Sequence, residues 1–543
     1  MNKLAYYLQE HLEGEVTSAV DVRQYFAHDA SILQILPAVV VYPRNESDVR
    51  KSVRFAWQLA ERGKKLPVTA RGMGSGTSGA AIGSGAILVF PAHMNKLLAL
   101  NTKKSFISVE PGANYGAIEQ TLNTHGLSLP AYPPSKNYAT LGGAIANNAL
   151  GEKSVKYGDV GDFVQSLRVV LSNGEVIETG PLNKKQLNHK LGLQTLEGEI
   201  YRSLDTLLEE NSDFINRCHE SIKARHNAAG YNICGVKKNH DFDLTPLIVG
   251  SQGTLGIITE ATLNAVKHNP KTTMALISVD DLGDLYGLLS EVLQLKPSIL
   301  DMLNWAAIDR VLELNPNQLA GTLSRERAAM HLFVQFDQPK EGDRQKAVKQ
   351  LTKIVNNAGA WLEVFEKPDS QERWHKIHGS IVTISIEPHG QARAVPVAED
   401  VSVPVDRLVE FLTEVESVFN DVGLAAAVWG QAGSGVVRMW PPLDLSKTGD
   451  RQKLFKIQDS LYAAAVHLGG SISAAAGDGR VRAPYLALQY GEELSSLMLK
   501  VKKIFDPHGI LNPGVKTAST EEVKAFLRTE YSLARFYDYL PRS

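Results

Sequence analysis

Cysteine is scarce in this chain of 543 residues, which contains only Cys218 and Cys234 and no C-x-x-C pair. Two cysteines cannot supply the ligands of a cysteine-bound iron–sulfur cluster, and they do not suggest a disulfide framework. Long apolar runs are also missing, because no stretch of the ~18 residues that a membrane-spanning helix needs is both uncharged and predominantly apolar. Charged and polar residues interrupt the first eleven positions too early for a signal peptide.

The chain also has no large excess of positive or of negative charge. The 57 basic residues nearly balance the 59 acidic ones and leave a net charge of −2. A nearly neutral chain gives no reason to expect nucleic acid as a partner. Its length exceeds what one core can support, so we expect two or three domains. We expect a cytoplasmic protein, with attachment to the inner face of a membrane as the alternative.

The strongest local pattern is a glycine-rich loop that directly follows a strand-like run. It reads Pro67-Val68-Thr69-Ala70-Arg71-Gly72-Met73-Gly74-Ser75-Gly76-Thr77-Ser78-Gly79. Glycine lets the backbone approach a ligand closely, and successive N–H groups in such a loop form an anion-binding concavity. Arg71 and the hydroxyls of Ser75 and Thr77 add charge and donors, so the predicted ligand is a pyrophosphate. A tight surface connection between two strands is the alternative.

The same loop fits G-x-G-x-x-G between Gly74 and Gly79. The nicotinamide fingerprint requires a helix next and an acidic residue about 20 positions later. Here an apolar strand-like run, residues 86–90, follows instead, and the region of the expected acid reads His93-Met94-Asn95-Lys96. The spacing therefore argues against a nicotinamide cofactor.

A second segment of small side chains covers residues 140–151. It reads Thr140-Leu141-Gly142-Gly143-Ala144-Ile145-Ala146-Asn147-Asn148-Ala149-Leu150-Gly151. Small residues allow close packing against a flat ligand or against another backbone. Both a ligand-lining segment and a small-residue helix packed on a sheet agree with this pattern.

Other patterns predict conventional elements. A helix is expected after Asn45, a hairpin around the turn pair Asn173-Gly174, and a helix over residues 196–208. Strand-like runs at 274–279, 332–336 and 360–365 alternate with helical runs at 282–295 and 344–357, as in an α+β domain. A charged, aromatic-studded helix is predicted from Glu521 to Tyr539.

Taken together, five motifs resemble the FAD-linked oxidases of the vanillyl-alcohol oxidase and p-cresol methylhydroxylase (PCMH) superfamily. The branch is that of D-lactate dehydrogenase, the glycolate oxidase subunit and D-2-hydroxyglutarate dehydrogenase. The matching pieces, in chain order, are Arg71-Gly72-Met73-Gly74-Ser75, Thr140-Leu141-Gly142-Gly143 with Asn147-Asn148-Ala149, the glycine-rich residues 250–261, Glu399-Asp400-Val401, and Phe505-Asp506-Pro507 with Ile510-Leu511-Asn512-Pro513-Gly514.

The resemblance implies an α+β fold with four parts. It predicts an N-terminal helical extension (1–36), a two-subdomain PCMH-type FAD-binding domain (37–269), an α+β substrate-binding cap domain (270–516) and a C-terminal helical tail (517–543). The implied FAD-binding residues are Arg71, Gly72, Met73, Gly74, Ser75, Thr77, Gly142, Gly143, Asn147, Gly253, Gly256, Ile257, Ile258 and Asn512. Some relatives attach FAD covalently through histidine or cysteine, but the loop around Met73 contains neither, so we expect non-covalent FAD.

This chain departs from the branch where its relatives bind substrate. They carry Gly-His-x-Gly-Asp-Gly-Asn-x-His and a later Glu-His-Gly, whose side chains resemble a metal site. Here the segments read Gly430-Gln431-Ala432-Gly433-Ser434-Gly435-Val436-Val437-Arg438 and Ala475-Ala476-Gly477. We therefore expect no metal at these positions, and Ala476 replaces the residue expected to accept the substrate hydroxyl proton.

Three residues are candidates to replace that machinery. Arg438 and Arg480 are predicted to bind a substrate anion, and His378 is the candidate base because its ordinary pKa suits proton transfer near neutrality. The arginines could instead pair with Glu399 or Asp478. His378 and His375, spaced i and i+3, could form a replacement site or an ordinary helix surface.

The resemblance predicts a flavoprotein oxidoreductase in which an organic acid or alcohol gives a hydride to flavin N5. The electron acceptor is open between a quinone, a carrier protein and oxygen, and a homodimer is one option for assembly. Two rival functions remain. One is oxidation of a sugar or another alcohol on the same scaffold, and the other is a flavin-binding subunit without catalytic activity.

Overall fold

A computed structural model describes residues 2–238, 241–319, 322–323, 327–381 and 392–530. Three larger sheets organise these residues, with four, five and seven strands. The first sheet contains β1 (Glu15–Thr17), β2 (Val39–Tyr42), β3 (Val68–Arg71) and β4 (Ala86–Val89). The second contains β5 (Leu97–Asn101), β6 (Phe106–Val109), β8 (Val164–Val170), β9 (Val176–Glu178) and β12 (Ile257–Asn264). The cap sheet contains β14 (Thr273–Val279), β15 (Ile299–Asn304), β16 (Met330–Phe336), β17 (Trp361–Phe365), β19 (Val401–Ser402), β20 (Val428–Gln431) and β21 (Val436–Met439).

Short strand pairs and helices complete the fold. The pairs are β7 (Leu127–Ser128) with β13 (Val266–Lys267), β10 (Lys237–Lys238) with β11 (Asp241–Phe242), and β18 (Arg393–Ala394) with β22 (Pro442–Leu443). The helices of the first half are α1 (Lys3–His11), α2 (Val20–Tyr25), α3 (Glu46–Glu61), α4 (Tyr115–Thr124), α5 (Leu141–Asn147), α6 (Ser154–Tyr157), α7 (Lys184–Leu191), α8 (Leu196–Glu210), α9 (Ser212–Ser221) and α10 (Thr245–Ile248). Those of the second half are α11 (Leu285–Gln294), α12 (Trp305–Leu314), α13 (Glu341–Asn357), α14 (Pro368–His378), α15 (Leu408–Asp421), α16 (Thr448–His467), α17 (Leu486–Phe505) and α18 (Thr520–Ala525).

The first sheet has the strand order β1-β2-β4-β3, in which β2, β4 and β3 are parallel and β1 is antiparallel. Strands β2 and β4 are buried along their whole length, as expected for central parallel strands covered on both faces. Helix α3 begins after Asn45, whose side chain accepts from the N–H of Asp48, as the sequence predicts. Residues 1–36 are not purely helical, because β1 pairs with β2 and so belongs to this sheet.

The second sheet is antiparallel, with the order β5-β6-β12-β8-β9. The predicted hairpin is confirmed: β8 and β9 flank Asn173 and Gly174, and Gly174 has a φ of +84°, which favours glycine. Helix α8 confirms the predicted helix over residues 196–208. The small-residue segment forms α5, capped by Thr140, which accepts from the N–H of Gly143.

The structure confirms the three strands and two helices predicted between residues 274 and 365. The order of the cap sheet, β17-β14-β16-β15-β20-β21-β19, adds strands that the sequence analysis did not identify. Strands β15 and β20 are adjacent, with Met302 opposite Gly430. This pairing brings Asp301 on β15 close to Gln431 at the end of β20.

The C-terminal segment differs from its prediction. Helix α18 ends at Ala525, residues 526–530 are not helical, and residues 531–543 lie outside the described part of the chain. Strand-like bonds replace the helix, because the N–H of Gln34 donates to Phe526 O and that of Arg528 donates to Ile32 O. Among the described helices, none combines the length and apolar character needed to cross a membrane.

Candidate active site

The glycine-rich loop follows β3 as predicted, and we call residues 72–80 the phosphate loop. Within the described structure, no acceptor binds the backbone N–H groups from Gly74 to Gly79. Gly74 and Gly79 have φ values of +73° and +75°, so both positions favour glycine. A run of unpaired N–H groups on a partly exposed loop matches the donor requirement of a diphosphate. The loop therefore fits the phosphates of FAD.

Arg71 lies behind this loop. Its side chain is buried, and Nη1 donates to Ala81 O at 3.2 Å and to Phe26 O at 3.5 Å. A Cβ added to Gly74 would lie 2.4 Å from Arg71 Nη2, so glycine permits this close packing. These contacts stabilise the loop, and binding of Arg71 to the diphosphate stays a prediction.

Gln252 joins the predicted segments to each other and to the cap. Its Nε2 donates to Ser78 Oγ at 3.0 Å, Asn147 Oδ1 at 2.9 Å and Ala476 O at 3.0 Å. Its Oε1 accepts from the N–H of Gly479 at 2.8 Å. One buried side chain thus connects the phosphate loop, α5 and the cap. The pattern of glycines around Gln252 did not reveal this role.

The remaining predicted FAD residues surround this junction. Ile257 and Ile258 begin β12 and are buried, and a Cβ on Gly256 would lie 2.4 Å from Val169 Cγ1. A Cβ on Gly142 would lie 2.5 Å from the Pro111 side chain. These two glycines therefore have packing roles that need no ligand.

Asn512 brings the C-terminal part of the chain to the same place. Its Nδ2 donates to Ala80 O and Gln252 O, both at 2.8 Å, and its Oδ1 accepts from Thr69 at 3.0 Å. These hydrogen bonds all join Asn512 to other groups of the protein. The structure thus gives Asn512 a positioning role at the phosphate loop, while direct contact with FAD stays a prediction.

The positions at which the resemblance implies a glutamate and a histidine are occupied by Ala475 and Ala476. Ala475 packs in a buried cluster with Leu150, Val436 and Ala474. Neither methyl nor isopropyl groups can ligate a cation or accept a proton. This part of the site therefore lacks the expected ionic chemistry.

A histidine–carboxylate cluster lies at the interface of the FAD-binding domain and the cap, and we call Glu152, Asp301 and His378 the interface triad. His378 Nε2 is 2.9 Å from Asp301 Oδ2, and His378 Nδ1 is 3.7 Å from Glu152 Oε2. The imidazole stacks on Trp374 with a centroid distance of 4.9 Å and an angle of 14°. His378 is thus not part of an ordinary helix surface, whereas His375 is exposed.

Burial and charge act in opposite directions on the triad. Burial lowers the pKa of His378, but the hydrogen bond and negative charge of Asp301 outweigh it and leave the pKa raised. Burial raises the pKa of Asp301 to about 6 despite the nearby imidazole. The pair is therefore suited to hold or accept one proton near neutral pH.

The triad also has the composition of a cation site, because one ligand atom from each residue lies within 4.8 Å of the others. However, each imidazole nitrogen faces a different carboxylate. A single metal ion binds only one nitrogen of a given imidazole, so a hydrogen bond to Asp301 together with an ion pair to Glu152 accounts better for this arrangement.

The predicted substrate arginines have protein partners. Arg438 Nη1 is 2.5 Å from Glu399 Oε1, although its buried Nε has no partner among the described residues. Arg480 donates to Gly79 O at 2.6 Å and to Pro513 O at 2.7 Å. Arg438 thus retains one donor for a ligand, while Arg480 lies against the phosphate loop.

Asp301 and Glu152 were not identified from the sequence. Asp301 is the one acid in the apolar run from Ile299 to Leu303, and an acid in a buried strand is a signal for a functional or paired carboxylate. Glu152 directly follows the small-residue segment, and the residues around it form no recognisable motif. Its proximity to His378 is visible only in the folded structure.

Two family models match the chain. The FAD binding domain matches residues 37–180, and the C-terminal domain of FAD linked oxidases matches residues 268–515. The chain belongs to the FAD-linked oxidases. It therefore carries the domain that binds FAD, in agreement with the unpaired N–H groups of the phosphate loop.

Curated relatives of this FAD-linked oxidase are hydroxy-acid enzymes by name. D-2-hydroxyglutarate dehydrogenase of Pantoea ananatis is 28% identical over 97% of this chain, but the match covers 52% of that protein. The chain thus spans about half the length of the first such relatives. D-lactate dehydrogenase of Anaerostipes hadrus is 26% identical over 91% of this chain and 93% of its own.

Solved structures share the fold of this FAD-linked oxidase. The 4-ethylphenol oxidase of Gulosibacter chungangensis covers 96% of this chain and 99% of its own, with a TM-score of 0.67 and 16% identity. p-Cresol methylhydroxylase covers 93% and 94%, with a TM-score of 0.65 and 14% identity. The predicted PCMH-type architecture is confirmed.

Proposed function

We propose that this protein oxidises a small 2-hydroxy acid with FAD as the hydride acceptor. The observation that carries the proposal is the interface triad, which provides a proton acceptor within a fold that binds FAD. The names of the curated relatives agree with a hydroxy acid. When bound, FAD supplies the redox chemistry by accepting a hydride from the carbon that bears the hydroxyl.

The residues of this chain have separate tasks in the proposal. The phosphate loop binds the diphosphate of FAD, and Gln252 positions that loop against the cap. His378 and Asp301 accept the hydroxyl proton, and the free Nε of Arg438 offers a donor for the substrate carboxylate. The electron acceptor remains open between a quinone, a carrier protein and oxygen, and the cytoplasmic location and homodimer remain predictions.

Anaerobic bleaching of the flavin tests this function. The holoenzyme is mixed with D-2-hydroxyglutarate, D-lactate, glycolate, sugars and simple alcohols, and absorbance of oxidised flavin is followed. We expect bleaching by at least one hydroxy acid. Bleaching only by a sugar or alcohol would favour the rival oxidation on the same scaffold.

A flavin-binding subunit without activity is the second candidate. The apolar cluster around Ala475 favours it, because relatives carry ionic residues there. This candidate predicts that no compound in the panel bleaches the flavin while FAD remains stoichiometrically bound.

Non-covalent FAD is the first testable prediction. Since Met73 and its neighbours provide no histidine or cysteine for attachment, acid precipitation should release the yellow colour into the supernatant. The absorbance of pellet and supernatant measures this directly. Colour retained in the washed pellet would contradict non-covalent attachment.

Arg438 provides the second prediction. Replacing it alone would leave Glu399 buried and uncompensated, so the substitution is made together with Glu399→Gln and compared with Glu399→Gln alone. If Nε binds the substrate anion, Arg438→Met should raise the KM for a hydroxy acid about tenfold to 150-fold, since a charge-assisted hydrogen bond contributes ~1.5–3 kcal/mol. FAD content and Tm should match those of the single variant.

The contrary result is also informative. If the double variant and Glu399→Gln have the same KM, Arg438 serves only to pair with Glu399. This result would show that Arg438 does not bind the substrate.

A further inference from the structure

We propose that the interface triad is a proton relay, in which Asp301 accepts the substrate hydroxyl proton, His378 transfers it, and Glu152 releases it to solvent. The inference rests on the proposed hydroxy-acid oxidation. It assigns roles to two carboxylates on different domains and makes proton release depend on the interface between them.

The inner end of the relay is Asp301. Its Oδ1 is buried and has no partner among the described residues, while Oδ2 binds His378. The Gln431 side chain interacts with this carboxylate, and its own Oε1 is also buried without a described partner. Asp301 Oδ1 is thus a buried acceptor left for a polar ligand, because buried polar groups are otherwise hydrogen-bonded. A substrate hydroxyl could donate to Asp301 Oδ1 there.

The middle of the relay is held in one orientation. Trp374 stacks on the His378 ring, and Phe333 contacts it edge-on with a centroid distance of 5.1 Å and an angle of 66°. These contacts keep Nε2 toward Asp301 and Nδ1 toward Glu152. Imidazole can therefore accept a proton on one nitrogen and release another from the opposite nitrogen without turning.

The outer end is Glu152. Side-chain exposure is 7% at Asp301, 20% at His378 and 26% at Glu152, so Glu152 is the most exposed of the three groups. Tyr132 donates to Glu152 Oε1 at 2.6 Å, which leaves Oε2 for His378. Burial raises the pKa of Glu152, but the charge of His378 and the bond from Tyr132 outweigh it and lower the pKa. Glu152 is therefore suited to release a proton rather than store it.

The step balances as follows. The carbon–hydrogen bond would break with its electron pair, for which bound FAD would be the two-electron acceptor, and the oxygen–hydrogen bond would break as its proton moves to Asp301. The carbon–oxygen single bond becomes a double bond, giving the 2-oxo acid. The proton then leaves through His378 and Glu152, and no further reactant is needed.

The kinetic test measures flavin reduction in the anaerobic holoenzyme at saturating hydroxy acid. Asp301→Asn and His378→Gln should slow it by ~10²–10⁴, the range for loss of a general base. Glu152→Gln should be slowed less, and added imidazole or formate buffer should restore part of its rate. Asp337→Asn is the matched control, since Asp337 is a buried carboxylate that joins the same domains by binding Lys156 and Tyr157 at 2.5 and 2.6 Å. Its rate should stay close to that of the wild type.

A second readout does not depend on turnover. Protonated imidazole quenches a nearby indole, so the emission assigned by subtracting the Trp374→Phe spectrum reports the charge of the two histidines that contact this ring, His378 by stacking and His375 edge-on, and the change caused by Asp301→Asn identifies the part due to His378. Its pH midpoint should lie above the ordinary histidine value of ~6.5 and fall in Asp301→Asn, because the partner that stabilises imidazolium is lost. The other charged groups facing His378 and its neighbour His375 are Glu152, Lys136 and Lys153, and they are unchanged in this comparison.

Three outcomes would overturn the relay. Wild-type rates in Asp301→Asn or Glu152→Gln, with an unshifted midpoint, would remove the relay while leaving the proposed oxidation intact. Absence of bleaching in the wild type with every hydroxy acid would remove both. Loss of wild-type reduction after dialysis against a chelator, restored by zinc or manganese, would assign the triad to a cation instead.

Discussion

Asp400→Asn is expected to lower the free energy of unfolding by about 3–5 kcal/mol, because it leaves a buried arginine without its counter-charge. Asp400 is fully buried, and its Oδ1 lies 2.6 Å from Arg482 Nη2. Its Oδ2 accepts from the N–H groups of Ala475 and Ala476, both at 2.6 Å. Asparagine preserves volume and tolerates the φ of +48° at this position, so the effect reports the lost charge together with the loss of one acceptor oxygen.

Urea unfolding of the FAD-loaded protein measures this effect. Glu410→Gln is the control, since the Arg407–Glu410 pair, at 2.7 Å, is 43% and 53% exposed. An exposed pair contributes less than about 1 kcal/mol. Equal urea midpoints for the two variants would show that the Asp400–Arg482 pair does not stabilise the cap.

Gln252→Met is expected to weaken FAD binding at least about tenfold, a loss of ~1.4 kcal/mol. Methionine fills the same space but cannot bond Asn147, Ala476 or Gly479. Each buried polar group left without a partner costs ~1–3 kcal/mol. Loss of these hydrogen bonds should loosen the contact between the phosphate loop and the cap and so weaken FAD binding.

Titration of FAD into the flavin-free protein, followed by flavin fluorescence, gives the Kd. Gln165→Met is the matched control, because Gln165 is exposed and bonds Asn264 within the second sheet. An unchanged Kd in Gln252→Met would show that these hydrogen bonds do not support the cofactor site.

Much of the fold was predictable because its signals are local. Asn45 caps α3, and Asn173 with Gly174 turns between β8 and β9; both depend on a few neighbouring residues. The helix predicted from Glu521 to Tyr539 was wrong over residues 526–530 for the opposite reason, while residues 531–539 lie outside the described part of the chain. The charged, aromatic pattern suits a helix, but backbone bonds of Phe526 with Gln34 and of Arg528 with Ile32, which are distant in sequence, replace helical bonds there.

In the candidate site, too, the features with a local sequence signal were predicted and those without one were missed. The phosphate loop was predictable because a glycine recurs at every second or third position directly after a strand-like run, and His378 was identified as a candidate base. Its partners were not, because Glu152 and Asp301 are 226 and 77 residues away from it in the chain. No local sequence pattern predicts that the loop carrying Glu152 contacts the cap residues Asp301 and His378.

The contacts of Asn512 have a consequence for how the protein is made. Backbone bonds join Val68 N–H to Ile510 O and Asn512 N–H to Val68 O, so the strand that leads into the phosphate loop has the C-terminal segment as its edge neighbour. During synthesis that neighbour emerges from the ribosome long after β3. The nascent N-terminal half therefore keeps an unpaired β3 edge until residues 510–512 have been translated.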